Sequence, residues 1–233
     1  MAASVIAFDL DGTLVDTAPD LISTLNWVLT GHGHAAIAPE IARPTIGFGA
    51  RRMIEQSLGL QDVVIKTETI DTMFQAFLAY YAEHIADESR PFDGLTDALD
   101  VLSARGCTLA VCTNKGEALS RLLLDKLGLG HRFAAICGAD TFPRRKPDPS
   151  HLFGTIERSA GTPGRAIMVG DSITDIKTAH NAKIPVIAVD FGYTETPVSE
   201  LGPDVVISHY DEMIAAVERI APHIFTADDE AAE

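Results

Sequence analysis

Six short apolar runs, at residues 5–7, 109–112, 134–137, 166–169, 186–189 and 205–207, constrain this chain more than any other feature. Runs of this length read as strands of a parallel sheet that is covered on both faces. Between most of them lie patterns of helical period, at 117–127 closed by Gly128, at 150–160 closed by Gly161, and at 173–182. Strand and helix in alternation predict a doubly wound α/β sheet. With 233 residues, 46% of them hydrophobic, the chain has enough apolar material to bury one.

One interval breaks the alternation. About a hundred residues separate the first run from the second, far more than an ordinary crossover needs, so something is inserted there. Within the interval Leu21, Ile22, Leu25, Val28 and Leu29 repeat at helical spacing behind Thr17 as N-cap and Pro19 in the first turn. Ile70, Met73, Phe74, Phe77, Leu78 and Tyr81 repeat in the same way. The spacing predicts a discontinuous core domain, residues 1–16 and 90–225, carrying a small helical cap at 17–89. The acidic end, residues 226–233, is expected to be disordered. No internal repeat is visible.

Asp9 stands where the first strand ends, and Asp11 follows beside Gly12. In open parallel sheets the ligand crevice lies beyond the carboxyl ends of the strands. Thr113 and Asn114 follow the second run and Asp171 follows the fourth, so three strand ends converge on one edge. Carboxylates of Asp9, Asp11 and Asp171 gathered there would repel unless a hard dication sat among them, and oxygen-only donors favour magnesium. Lys146, in RRKPDP with Pro147 and Pro149 stiffening its loop, supplies positive charge, and Thr113 and Asn114 supply hydrogen-bond donors. Such a place suits a phosphate.

The net charge of −15, from 18 basic and 33 acidic residues, argues against nucleic acid and anionic membranes as partners. It leaves room for a small anionic substrate, because screening over about 8 Å lets a local positive site act on its own.

In this order, DLDGT at 9–13, CTNK with Thr113, KPDP with Lys146, and GDSITD with Asp171 and Asp175 resemble the four signatures of haloacid dehalogenase-like phosphatases. The resemblance spans the chain from the first strand to about residue 220. It implies a Rossmann-like core with a helical cap between the first and second motifs, in agreement with the spacing. The stretch between Thr113 and Lys146 is filled by one helix and one strand, with no room for a second cap.

The resemblance further implies covalent chemistry. Asp9 attacks phosphorus to form an aspartyl-phosphate, Asp11 protonates the leaving oxygen, and Asp11 then deprotonates the hydrolytic water. It places magnesium on the Asp9 side chain, the Asp11 carbonyl and Asp171, lets Lys146 and Thr113 stabilise the phosphoryl oxygens, and makes Asp175 an orienting residue behind them.

Other readings of these motifs are weaker. A calcium loop starting at Asp9 would want an acid or Asn at Thr13, Gly at Leu14 and Glu at Asp20, after a helix. GDSITD taken alone could be an ordinary helix cap, and Lys146 taken alone a solvated loop lysine. GFGA at 47–50 lacks a third glycine, with Arg52 in its place, and no useful strand precedes it as a dinucleotide loop requires. GHGH at 31–34 reads as a helix end rather than a chelate. The run 144–146 is too short a basic patch for nucleic acid in so acidic a chain.

Specificity must come from the cap, since the core motifs serve any phosphate ester. TIGFGARRMIEQSL, residues 45–58, puts Gly47 and Gly49 before a predicted helix with Arg51 and Arg52 in its first turn, an arrangement suited to anions. It resembles the cap loop of phosphoglycolate phosphatases, as do DLDGTLVDTAPDL, FLAYYAEHI and FGYTETP. One departure is Lys183, in TAHNAKIP, where the family often carries Gly; it alters only a helix end. The chain is therefore expected to be a magnesium-dependent phosphomonoesterase with 2-phosphoglycolate as leading substrate. A pyrophosphate, nucleotide or sugar-phosphate specificity, a phosphomutase, and a non-catalytic binding protein on the same fold are the alternatives. Cys107, Cys112 and Cys137 have no metal-ligand spacing and read as buried reduced thiols. The N-terminus carries neither a signal-peptide nor a membrane-span pattern, so a cytoplasmic location is expected.

Overall fold

The structure is a computed structural model that describes residues 3–63, 65–194 and 196–225. The chain opens with β1 (Ala3–Phe8) and the two-residue β2 (Val15–Asp16), followed by α1 (Ala18–Gly31), α2 (Pro39–Ala42), α3 (Ala50–Gly59), α4 (Thr67–Glu83) and β3 (Arg90–Pro91). Then come α5 (Leu95–Ala104), β4 (Cys107–Cys112), α6 (Glu117–Lys126), β5 (Ala135–Cys137), α7 (Pro149–Arg158) and β6 (Gly161–Gly170). The chain closes with α8 (Ile173–Ala182), β7 (Val186–Val189), β8 (Val205–Ile207) and α9 (Met213–Ile220). The expected acidic tail, 226–233, lies outside the described residues.

Six strands form one parallel sheet in the order β5-β4-β1-β6-β7-β8. This is the predicted Rossmann-like α/β core. Alternate residues of each strand face opposite layers, and both layers are apolar. Val5, Ala7, Ala110 and Met168 pack with Leu152 and Ile156 of α7 and Ile176 and Ala179 of α8. Ile6, Phe8, Val111 and Val169 belong to the other cluster, with Leu99 of α5, Leu123 of α6 and Val217 of α9. Burial on both faces is why the strands read as unbroken apolar runs. The run at 166–169 continues backwards to Gly161 through a register shift against β1, between Ala3 and Val5.

The connection from β5 to β6 crosses to the far side of β1, so the order of strands reverses at the central strand. That reversal opens a crevice at the carboxyl ends of β1, β4 and β6, where Asp9, Thr113 and Asp171 stand.

The helices of residues 18–83 pack chiefly on one another, α1 on α4 and α3 on both. The chain enters and leaves this segment side by side, because β2 and β3 pair antiparallel with Val15 opposite Pro91 and Asp16 opposite Arg90. Asp20, buried in the first turn of α1, secures the exit strand. Its carboxylate accepts from Glu88 N at 3.0 and 3.2 Å, Ser89 N at 2.8 Å and Ser89 Oγ at 2.6 Å. Asp20→Ala strands these donors and is expected to cost about 2–3 kcal/mol in urea unfolding; a change below about 0.5 kcal/mol would show the latch to be unimportant.

Thr17 is the residue before α1, as predicted, but its side chain makes no cap bond. The hydroxyl of Tyr193, far along the sequence, takes that part by accepting from Thr17 N at 2.6 Å and Ala18 N at 3.0 Å. Lys183 adopts the left-handed conformation (φ 56°) at the end of α8 that Gly more commonly takes. The segment 31–34 is a helix end, with Gly33 at φ 81° just past α1. The three cysteines are buried and unpaired. Among the described residues no helix is long and apolar enough to cross a membrane.

Candidate active site

Asp9 extends β1 by one residue, its N–H donating to Val169 O at 2.9 Å, and its carboxylate enters the crevice. Lys146, from the loop between β5 and α7, places Nζ 2.9 Å from Asp9 Oδ1 and 2.5 Å from Asp175 Oδ1. The lysine side chain is 1% exposed. Burial works against its ammonium, but Asp175 and Asp9 outweigh it and push Lys146 up.

Asp175 is held from the other side by Ser172, whose Oγ donates to Oδ2 at 2.6 Å and whose N–H donates to the same oxygen at 3.1 Å. Ser172 and Asp175 thereby form the capping box that starts α8. Asp175 is thus tied to a lysine and a helix start.

Asp171 follows the end of β6. Thr13 Oγ1 donates to its Oδ1 at 3.3 Å, and Tyr193 N donates to its Oδ2 at 2.9 Å. Gly12, at φ 80°, lies against the same carboxylate; a Cβ there would come within 2.4 Å of Asp171 Oδ2. Only glycine lets the DLDG turn approach this closely.

The carboxylates gathered by the fold are therefore Asp9, Asp171 and Asp175, with one oxygen of each mutually within 4.8 Å. The Asp11 side chain is not in this cluster, because it lies against Lys115. Burial pushes the Asp9 carboxyl up to about 6, with Lys146 opposing. Burial and then the charges of Asp175 and Asp9 push Asp171 well up. Asp9 Oδ1 is buried and, although Lys146 is beside it, has no hydrogen-bond partner of correct direction among the described residues. Three carboxylates against one ammonium, oxygen donors only and a buried oxygen left unbonded fit a hard divalent cation.

Asp11 accepts from Lys115 Nζ at 2.9 and 3.1 Å and from Thr17 Oγ1 at 2.7 Å. Thr113 is buried beyond β4, and its Oγ1 accepts from Lys115 N at 3.2 Å. Asn114 gives one amide N–H to Lys146 O at 3.1 Å, so it shapes the lysine loop.

A cavity of about 160 Å³ opens beside this cluster. Asp171, Thr174, Tyr193 and Thr194 line it from the sheet side, and Gly47 and Phe48 from the helical segment. Arg51 and Arg52 occupy the first turn of α3, as predicted, but are not among its lining residues. Arg51 pairs with Asp71 and, at 3.2 Å, with Glu55; Arg52 pairs with Glu55 at 3.3 Å.

Lys115, Tyr81 and Tyr193 carry no role in the sequence reading. Lys115 and Tyr193 both stand just past strand ends, in CTNK and FGYTETP, so the rule that identified Asp9 and Asp171 would also have picked them out. Tyr193 joins the crevice to the entry of the helical segment: its N–H bonds Asp171, its hydroxyl donates to Asp16 at 2.6 Å, and Arg43 lies 5.1 Å over its ring. Tyr81 reads only as one apolar position of a helix.

Residues 6–189 match the sequence profile of the haloacid dehalogenase-like hydrolases. The phosphoglycolate phosphatase of Agrobacterium fabrum is 48% identical over 210 residues, covering 90% of each chain. That of Mesorhizobium japonicum is 46% identical over 94% of this chain and 97% of its own. The crystal structure of a predicted phosphoglycolate phosphatase from Haemophilus somnus superposes with a TM-score of 0.86 at 28% identity, over 91% of this chain and 97% of that one.

Proposed function

The chain belongs to the haloacid dehalogenase-like hydrolases, and we propose that it is a magnesium-dependent phosphatase of small phosphate monoesters, with 2-phosphoglycolate as substrate. The observation that carries the reading is Lys146 Nζ at 2.9 Å from Asp9, a buried cation against a carboxylate at the end of the central strand. The names of the relatives support the substrate.

Asp9 is the nucleophile. One of its oxygens bonds to phosphorus while the bond from phosphorus to the leaving oxygen breaks, and Asp11 hands a proton to that oxygen. In the second half Asp11 takes a proton from water, the water oxygen bonds to phosphorus, and the acyl-phosphate bond breaks to regenerate Asp9. Lys146 and Thr113 stabilise charge on the phosphoryl oxygens, with Asn114 holding the Lys146 loop. Asp175 orients Lys146. Asp9, Asp171 and the Asp11 carbonyl would hold magnesium, which when bound supplies positive charge to screen the Asp9 carboxylate from the anionic phosphate.

We divide the molecule into a core at 1–16 and 90–225 and a cap at 17–89 whose approach closes the crevice, with Gly47 and Phe48 on its inner side. The carboxylate of phosphoglycolate meets the turn at 47–52 and the start of α3, with Arg51 or Arg52 leaving its exposed ion pair to reach it. The three unpaired thiols support a cytoplasmic enzyme.

Phosphate release across phosphoglycolate, pyrophosphate, a nucleotide, a sugar phosphate and para-nitrophenyl phosphate tests the reading. Phosphoglycolate is expected to give the highest kcat/KM, and a panel led by another ester refutes the substrate. Arg51→Ala and Arg52→Ala, made separately, should at one position lower kcat/KM for phosphoglycolate roughly tenfold or more, with para-nitrophenyl phosphate much less affected. Equal losses on both esters, or none, would remove the arginines from recognition.

A further inference from the structure

We infer that Lys115 is a positioning residue for Asp11, braced from the helical segment by Tyr81; the inference rests on the phosphatase reading above. Lys115 lies two residues past Thr113, with its side chain 6% exposed. Its Nζ donates to both oxygens of Asp11, at 2.9 and 3.1 Å, and to Tyr81 Oη at 3.0 Å, and it lies 4.5 Å over the Tyr81 ring.

An ammonium taken out of water is costly unless its donors are satisfied. Here two residues satisfy all three, so no donor is directed at a substrate. The arrangement fits support of Asp11 rather than binding. A carboxylate gripped through both oxygens is restricted in its side-chain torsion, and Thr17 Oγ1, at 2.7 Å from Asp11 Oδ1, adds a third restraint.

Tyr81 extends the restraint across the molecule. It sits on α4, is buried, and packs against Phe77 with ring centroids 6.0 Å apart. The acid therefore lies at one end of a chain that runs from Asp11 through Lys115 to a helix of the segment 18–83. A displacement of α4 would reach Asp11 through the ammonium.

The test separates positioning of an acid from substrate binding and from general structural damage. It compares kcat/KM for phosphoglycolate, ethyl phosphate and para-nitrophenyl phosphate. This parameter ends with departure of the leaving group, so the later base role of Asp11 does not enter it. Lys115→Met should lower kcat/KM for both alkyl esters by roughly 100-fold, and for para-nitrophenyl phosphate by at least about ten times less, because nitrophenolate leaves without a proton.

Lys115→Arg should regain about tenfold of the loss, and Tyr81→Phe should show the same preference at about threefold. Equal losses on the three esters would mark damage to the whole site and overturn the inference. A loss confined to phosphoglycolate would identify Lys115 as a reader of the substrate carboxylate and overturn it equally. Should Lys115→Met not fold, Tyr81→Phe decides by the same ratio. A parent inert towards all three esters refutes the phosphatase reading itself, and the inference with it.

Discussion

Asp9→Asn is expected to lower kcat/KM by at least about 1,000-fold on every phosphate ester, since the variant has no carboxylate to form the covalent intermediate. Residual activity above about 1% of the parent would remove Asp9 from the nucleophile's role. The same substitution should not unfold the protein. Lys146 keeps Asp175 as its partner at 2.5 Å, so no buried ammonium is stranded. Asn is close to Asp in size and removes one of three neighbouring charges.

The direction of the Asp9 pKa shift adds a second, independent readout. Burial lifts this carboxyl from 3.8 to about 6, so the folded state binds its proton more tightly than the unfolded chain does. Folding is then penalised progressively as pH rises between those values, and the penalty is complete above about 6. In the absence of divalent cations at pH 7–8, Asp9→Asn should therefore raise the thermal midpoint, and the gain should vanish near pH 4. A lower midpoint at neutral pH would mean that the Asp9 charge is stabilising, contrary to the desolvation argument.

The sheet was legible because its strands are covered on both faces, and that condition writes itself into the sequence as unbroken apolar runs such as 186–189. The site was legible for a related reason. A strand end is a fixed position at the crevice, so a polar residue directly behind an apolar run, such as Asp9 or Asp171, can be placed without knowing the strand order.

What stayed hidden depends on contacts across long separations. Spacing nominated Thr17 as a helix cap, but the helix donors belong to the Tyr193 hydroxyl and the Thr17 hydroxyl goes to Asp11. Spacing also grouped Asp11 with the other acids, since adjacency in DLDG says nothing about torsion. Lys115, which turns Asp11 aside, lies more than a hundred residues away. The arginines of α3 failed to be legible in another sense: Glu55 lies one helical turn on, but Asp71, which also holds Arg51, comes from α4.

Removal of divalent cations is expected to abolish turnover, and magnesium to restore it. Among the described residues Asp9, Asp171 and Asp175 share a buried site with the one ammonium of Lys146, which cannot balance all three, and Asp9 Oδ1 has no hydrogen-bond partner among them. A dication bound there would relieve this repulsion as well as assist catalysis, so binding must also appear in stability. At a magnesium concentration about 100 times its dissociation constant the native state gains about 2.7 kcal/mol, which for a chain of this size moves the thermal midpoint by roughly 5–10 °C. Asp171→Asn should lose both the activity and most of the shift, because it removes a carboxylate whose hydrogen bonds among the described residues come from Thr13 and Tyr193 alone and which a cation would complete. Calcium should produce a shift yet inhibit, since its larger and looser oxygen shell fits the acids without fixing Asp9 for attack. Full turnover in excess chelator would refute a metal-dependent reaction, and an undiminished magnesium shift in Asp171→Asn would place the cation elsewhere.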